Sequence, residues 1–444
     1  MLLKNMRENI MTGFGLWGKN EYTSWQDEQM SWKETCYIGD WSWLAEVRVK
    51  GPDAEKFFSR LCVNSFNNYA VGQCKHVIMC NDAGKIVGEG ILIKHAEDEY
   101  EWQGGMQAEV DGPPVQWLKY HFSKGNYNAE MEFPNNLFKF QVSGPKAIYV
   151  MEKACREGLR DIPFMHMKKA VIDGVEVRLI RQGMAGEIGF EVQGLKEFHN
   201  KIHAYILEIG KEFGIRILGS RTAMINHLEA GFPTIGLDYL PAVYSESERD
   251  FLKFANPHLS DEDLYDSDKN VFSFLSKVSG SFEADDISAW YRSPVELNWT
   301  KNIKFDHDFI GREALEREVA NPKRTLVTLE WNSEDVVDVY ASYYRDETPY
   351  DFMDIPQRSS FAFSFNVDKV LVGDKLVGVS TSRGYSYYFR KMLSHCVIDV
   401  EYSTPGTEVV VEWGEPGHRK KLIRAIVAPS PYKKDNRKAD LKSL

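Results

Sequence analysis

Residues 42–49, Ser-Trp-Leu-Ala-Glu-Val-Arg-Val, alternate apolar and polar with period two, which predicts a half-buried strand ending at Gly51-Pro52. Asp53 then stands as the N-cap of a helix over Ala54–Leu61. A meander is predicted over 75–103: a strand at 75–80, a hairpin turn at Asn81-Asp82-Ala83-Gly84, and strands at 86–94 and 99–103. Pro113-Pro114 precedes a helical stretch at 117–122, a strand follows at 138–142, and Gly144-Pro145 separates it from a helix at 146–154. Two strands, 171–182 and 188–193, flank a glycine-rich turn, and a long amphipathic helix follows at 195–213.

The pattern changes at 245–290, where acidic clusters such as Ser260-Asp261-Glu262-Asp263 predict a surface excursion between lobes. From about residue 323 the chain reads as mostly β, with strands at Arg324–Trp331, 361–365, 375–382, 394–400 and 408–412. An antiparallel barrel or sandwich is the expected final domain, and the whole chain reads as α+β.

At 444 residues the chain suggests two to four lobes, and 43% hydrophobic with 13% aromatic residues supplies ample core. The net charge of −11 argues against a duplex nucleic-acid binder. No stretch approaches the roughly 20 apolar residues of a membrane span, and the N-terminus shows no apolar leader segment. Six cysteines without a C-x-x-C pair read as reduced thiols of a cytoplasmic protein with no metal centre. The basic run Lys433, Lys434, Arg437, Lys438 is expected to be a solvated tail. Trp17, Trp25, Trp32, Trp41 and Trp43 crowd the start of the chain, as core anchors or as the wall of an aromatic entrance. No P-loop, dinucleotide G-x-G-x-x-G, H-E-x-x-H or G-x-S-x-G is present, and His76 and His95 stand isolated, the pattern of structural histidines. Residue chemistry alone stops there.

Four stretches carry a resemblance. Met184-Ala185-Gly186-Glu187-Ile188-Gly189-Phe190-Glu191-Val192 resembles the G-Y-T-G-E-D-G-F-E-I segment of the glycine-cleavage T-protein (aminomethyltransferase) family. Gly219-Ser220-Arg221-Thr222 with Leu228-Glu229-Ala230-Gly231, Asp306-His307-Asp308-Phe309-Ile310-Gly311-Arg312-Glu313-Ala314-Leu315, and the terminal Pro429–Tyr432 segment are similar to further motifs of that family, in the same order. Within it, the chain looks most like the tetrahydrofolate-dependent aromatic O-demethylases, through segments such as Gln141-Val142-Ser143-Gly144-Pro145 and Gly384-Tyr385-Ser386-Tyr387.

The resemblance implies a three-lobed ring around a central folate site: a first lobe from 1–50 and 137–250, a second from 51–136 and 251–320, and the β domain 321–444. It implies tetrahydrofolate as cofactor and a small methyl donor, most simply an aromatic O-methyl compound, as partner, with no nucleic acid or membrane and the oligomeric state open. Glu191 matches the family's pterin-binding glutamate, and a carboxylate suits that task because it accepts two parallel N–H bonds. Arg221 matches an arginine on the folate side, with Gln141 and Phe232 as neighbours of the pterin and aminobenzoyl groups. Glu89 stands where the aminomethyltransferases carry a catalytic aspartate. The substrate half departs from the vanillate demethylases: their catalytic tyrosine falls on Ala223, their substrate-binding arginine on Gly105, and their histidine near Trp43-Leu44. A departing oxygen needs a general acid; Tyr244, His227, Tyr385 and Glu89 are the candidates. A methylenedioxy donor, a methyl-ammonium or sulfonium donor caged by aromatic rings, and a non-catalytic folate-binding role remain open alternatives.

Overall fold

The computed structural model describes residues 18–105, 112–265, 277–356 and 364–444. The three largest of their hydrophobic cores organise the fold. The first lies on a six-stranded sheet ordered Ile215–Ile217, Cys36–Asp40, Leu137–Ser143, Gly189–Leu195, Val175–Ile180 and Met167–Ile172. Phe138, Phe140 and Val142 alternate along the central strand and pack with Phe190, Val192, Ile202 and Ile206. The intervening Lys139, Gln141 and Ser143 point to the opposite face, and they too are buried. Period-two alternation normally turns polar residues to water, so a buried polar face signals a partner or a site on that side.

The second core belongs to a five-stranded sheet ordered Cys74–Cys80, Ile86–Ala96, Glu99–Gly104, Ala45–Lys50 and Glu130–Glu132. Helix Ala54–Leu61 covers it with Phe57 and Phe58, and helix Pro113–Lys124 adds Val115, Trp117 and Leu118. The third is a closed six-stranded antiparallel barrel, Arg324–Trp331, Lys391–Asp399, Lys375–Ser386, Asp368–Val372, Glu408–Trp413 and Lys421–Ala428, filled by Trp331, Val370, Val411 and Ile423. Closure leaves no unpaired edge strand, which settles barrel over sandwich.

Several expectations need correction. The predicted strand 171–182 is a hairpin, Met167–Ile172 with Val175–Ile180. Asp173 (φ 46°) and Gly174 (φ 77°) turn it, as an Asp-Gly pair suits a two-residue loop with both φ positive. Asp53 occupies the N-cap position as expected but makes no side-chain cap bond; its Oδ2 accepts from the Asn128 N–H at 2.8 Å instead. The acidic excursion contains helix Arg249–Ala255, whose Phe251 and Leu252 are buried in the second core. Of the predicted strand 361–365, residues 361–363 lie outside the described residues, and Ser364–Asn366 pairs in parallel with Lys277–Ser279, outside the barrel. Barrel strands Asp368–Val372 and Lys421–Ala428 were not anticipated, nor was helix Ser333–Ala341, which Asn332 caps through bonds from the Glu334 and Asp335 N–H groups. No helix among the described residues is long and apolar enough to cross a membrane.

Candidate active site

A cavity of 910 Å³ opens between the two sheets and is walled by groups from both, by the 227–244 and 297–304 segments and by the end of the chain. Its polar part is built on the buried polar face of the first sheet. Glu191 and Gln141 are direct cross-strand partners, so their side chains share one face. The Glu191 carboxylate accepts from Gln182 Nε2 at 2.6 Å and from Gln193 Nε2. Burial pushes its carboxyl above the usual range, against these bonds and the nearby Lys139 charge. Gln193 cannot turn its amide around: its Oε1 accepts from Arg178 Nε at 2.5 Å, and Arg178 is itself paired with buried Glu101. Gln141 gives Nε2 to the Gln182 carbonyl at 2.9 Å, while its buried Oε1 has no partner among the described residues. An unpartnered buried acceptor beside a carboxylate is a place where ligand N–H groups complete the bonding. The loop between tolerates no side chains at two points: a Cβ on Gly183 would lie 1.9 Å from the Glu187 carbonyl, and one on Gly189 would lie 2.5 Å from the Gln182 carbonyl.

The other part of the wall is aromatic and titratable. Phe232 packs against His76, His227 and Trp299 with ring centroids 5.5, 5.7 and 5.7 Å apart. His76 Nε2 lies 2.9 Å from Glu89 Oε2, both side chains being under one-fifth exposed (18% and 17%). His227 Nδ1 is 3.0 Å from Thr234 Oγ1, and its buried Nε2 has no partner among the described residues. Burial drives the His227 imidazole down to about 4, so the ring is neutral near neutral pH. Trp41 and Trp43 complete this wall.

Of the residues singled out from the sequence, Glu89, Gln141, Glu191, His227, Phe232 and Tyr244 line the cavity. Arg221 and Tyr385 are not among its lining residues. The Arg221 guanidinium pairs with Glu21 and donates to the Ile355 carbonyl. The Tyr385 ring packs edge-on to Trp25 at 6.1 Å, and its N–H donates to the Pro356 carbonyl at 2.6 Å. The tryptophan cluster divides too. Trp32 donates to Glu229 Oε2 at 2.8 Å away from the cavity, Trp25 packs edge-on to Tyr385 and Tyr387, and Trp17 lies outside the described residues. Ala223 is buried in a small separate core, whereas Gly105 does line the cavity.

The C-terminal basic run is not a solvated tail. Lys433 is buried in an ion pair with Glu187 and donates to the Gly186 carbonyl at 3.1 Å, which brings Arg437 and Lys438 to the cavity wall. His76, Asn302 and Trp299 were missed as site residues. A signal existed for the first: in the predicted hairpin, Ile78 opposes Glu89 and His76 opposes Ile91, so His76 and Glu89 are diagonal neighbours on one face. Nothing local marked the other two.

The profile of the GCVT N-terminal domain family matches residues 5–244. Over 424 residues the chain is 34% identical to the sesamin methylene transferase of Sinomonas sp. (strain No.22), covering 93% of this chain and 89% of that protein. It is 32% identical over 435 residues to the syringate O-demethylase of Sphingobium sp. (strain NBRC 103272 / SYK-6), with the same coverage of 93% and 89%. The crystal structure of glycine cleavage system aminomethyltransferase T from Bartonella henselae superposes with a TM-score of 0.68 at 17% identity, covering 98% of this chain and 97% of that one, and so has the same fold.

Proposed function

The chain belongs to the GCVT family, and from that premise we propose that it is a tetrahydrofolate-dependent transferase taking a one-carbon unit from a small aromatic O-methyl donor. The observation that carries this reading is the pairing of a buried acceptor set, Glu191 with the unpartnered Gln141 Oε1, and an aromatic, proton-handling wall within one cavity. The acceptor set fits a reduced folate: a carboxylate and a carboxamide oxygen side by side match the N–H groups of an aminopyrimidine edge. A volume of 910 Å³ is near the top of the usual range for ligand pockets, roughly 300–1,000 Å³, and leaves room for a donor beside the cofactor. Bound there, the reduced folate supplies the amine that receives the carbon.

The chain's own groups orient the donor and move protons. Phe232, Trp299, Trp41 and Trp43 offer faces and edges for stacking an aryl ring. Glu89, His227 and Tyr244 line the cavity and are our candidates to offer a proton or a hydrogen bond to the leaving oxygen, which departs poorly as a bare anion. A cationic methyl donor is disfavoured by charge: Lys75, Lys301, Lys304, Arg437 and Lys438 line the cavity against Glu89, Glu191 and Asp435.

The relative named for sesamin supports a second reading, in which the donor is a methylenedioxy aromatic and the carbon arrives at the methylene level. The same aromatic wall serves both. Anaerobic incubation with tetrahydrofolate and a panel of aryl methyl ethers, methylenedioxy aromatics, betaines and sulfonium compounds, with the folates identified by mass spectrometry, separates them. Methyl-folate from an aryl ether is the expected product. Methylene-folate from a methylenedioxy compound establishes the second reading, and no one-carbon folate from any donor overturns both.

A further inference from the structure

We propose that Asn302, His76 and Glu89 form a fixed hydrogen-bond array that presents Glu89 to the cavity as a proton acceptor, with His76 as its positioning residue. The inference rests on the transferase reading above and assigns a role within it.

The orientation of the array follows from donor and acceptor chemistry. Asn302 Nδ2 lies 3.1 Å from the His76 carbonyl oxygen, which only accepts, so this amide end is the N–H₂ group. The same nitrogen lies 3.3 Å from His76 Nδ1, which therefore receives an N–H and carries no proton. Asn64 Nδ2 donates to the same carbonyl at 2.8 Å and anchors the backbone of this strand. The neutral ring thus has its proton on Nε2, pointed at Glu89 Oε2 2.9 Å away. A donor aimed at one carboxylate oxygen fixes the orientation of the group and leaves the other oxygen to accept. Trp299, whose ring meets that of His76 edge-on at 5.0 Å, and Phe232 on another side hold the imidazole in place. Glu89 Oε1 has no protein partner among the described residues, and the residue lines the cavity.

Proton balance gives this arrangement a use. When a methyl group passes from an aryl ether to a secondary amine, the C–O bond breaks with its electron pair left on oxygen, and the amine lone pair forms the C–N bond. One proton leaves nitrogen and one joins oxygen. The site therefore needs an acceptor as well as a donor, and Glu89 is the acceptor. Tyr244, elsewhere on the same wall, is left to serve the oxygen.

The first test needs neither folate nor donor. In the ¹⁵N imidazole spectrum of the full-length protein at alkaline pH, where histidine rings are neutral, His76 is expected as the Nε2–H tautomer. An Nδ1–H tautomer overturns the array. The second test is kinetic. His76→Phe is expected to lower kcat about tenfold, the loss of one charge-assisted hydrogen bond, with KM for the donor and affinity for a folate analogue unchanged. His76→Gln, which keeps an N–H donor, restores kcat to within about threefold of wild type, and Glu89→Gln loses about 100-fold or more. Wild-type turnover in His76→Phe, or a Gln variant as impaired as the Phe variant, overturns the proposal. Failure of every methyl donor would refute the transferase reading while leaving the tautomer result to judge the array by itself.

Discussion

Replacing Glu191 with Gln separates what its charge does for the ligand from what its shape does for the fold. Oε1 and Oε2 accept from Gln193 and Gln182 respectively, and Gln193 is locked by Arg178. The new carboxamide can turn its carbonyl to Gln193, and a turn of the Gln182 amide answers the remaining N–H₂. Packing therefore survives. Because burial holds the Glu191 carboxyl above its ordinary value, the folded chain binds a proton there more readily than the unfolded chain. Stability from this group is greatest at low pH, declines as pH rises from the ordinary carboxylate range through the raised value, and stays lower above it. Glu191→Gln escapes that decline, so its melting temperature relative to wild type should improve between about pH 5 and about pH 8. Ligand binding moves the other way. Hydrogen bonds to a charged partner contribute about 1.5–3 kcal/mol, so losing the carboxylate should weaken a non-reactive reduced-folate analogue about 10- to 150-fold. Calorimetric titration of both proteins, with thermal melts at the two pH values, measures both effects. A dissociation constant within about twofold of wild type would show that Glu191 does not hold the folate.

Other outcomes follow from the same geometry. His227 titrates near 4 in the fold against about 6.5 unfolded, so its contribution is whole above the unfolded value and is lost as pH falls through about 4. That amounts to about 3 kcal/mol at acid pH, read as the difference in urea midpoints between wild type and His227→Gln; an unchanged difference across that range refutes it. Lys433→Ala breaks a buried ion pair with Glu187 and should cost about 3–5 kcal/mol in denaturant unfolding, whereas under about 1 kcal/mol would mean a solvated tail. Arg221→Ala should lower stability by about 1–3 kcal/mol yet leave folate-analogue affinity within about threefold, since its guanidinium serves Glu21 and Ile355; a large affinity loss would place it at the ligand.

Local patterns determined much of this protein. Helix Ala54–Leu61 and strand Arg324–Trp331 lie where periodicity placed them, because an apolar stripe or an alternating face must be buried whatever it meets. The Glu191 motif carried the acceptor half of the site, since a strand residue's face follows from its register with Gln141. Even the His76–Glu89 contact was within reach of hairpin counting, being set by one short turn. Tertiary structure decided the rest. Asn302 reaches His76 across 226 positions and Lys433 reaches Glu187 across 246, and Arg221 turned from the cavity toward Glu21, 200 positions away. Periodicity reports which face is buried and is silent about the partner, because partner choice depends on how whole sheets, barrel and chain end pack together. That is why the buried acceptors Gln141 and Glu191 were legible on two neighbouring strands, while the groups that orient and charge the rest of the cavity emerged only when distant segments met.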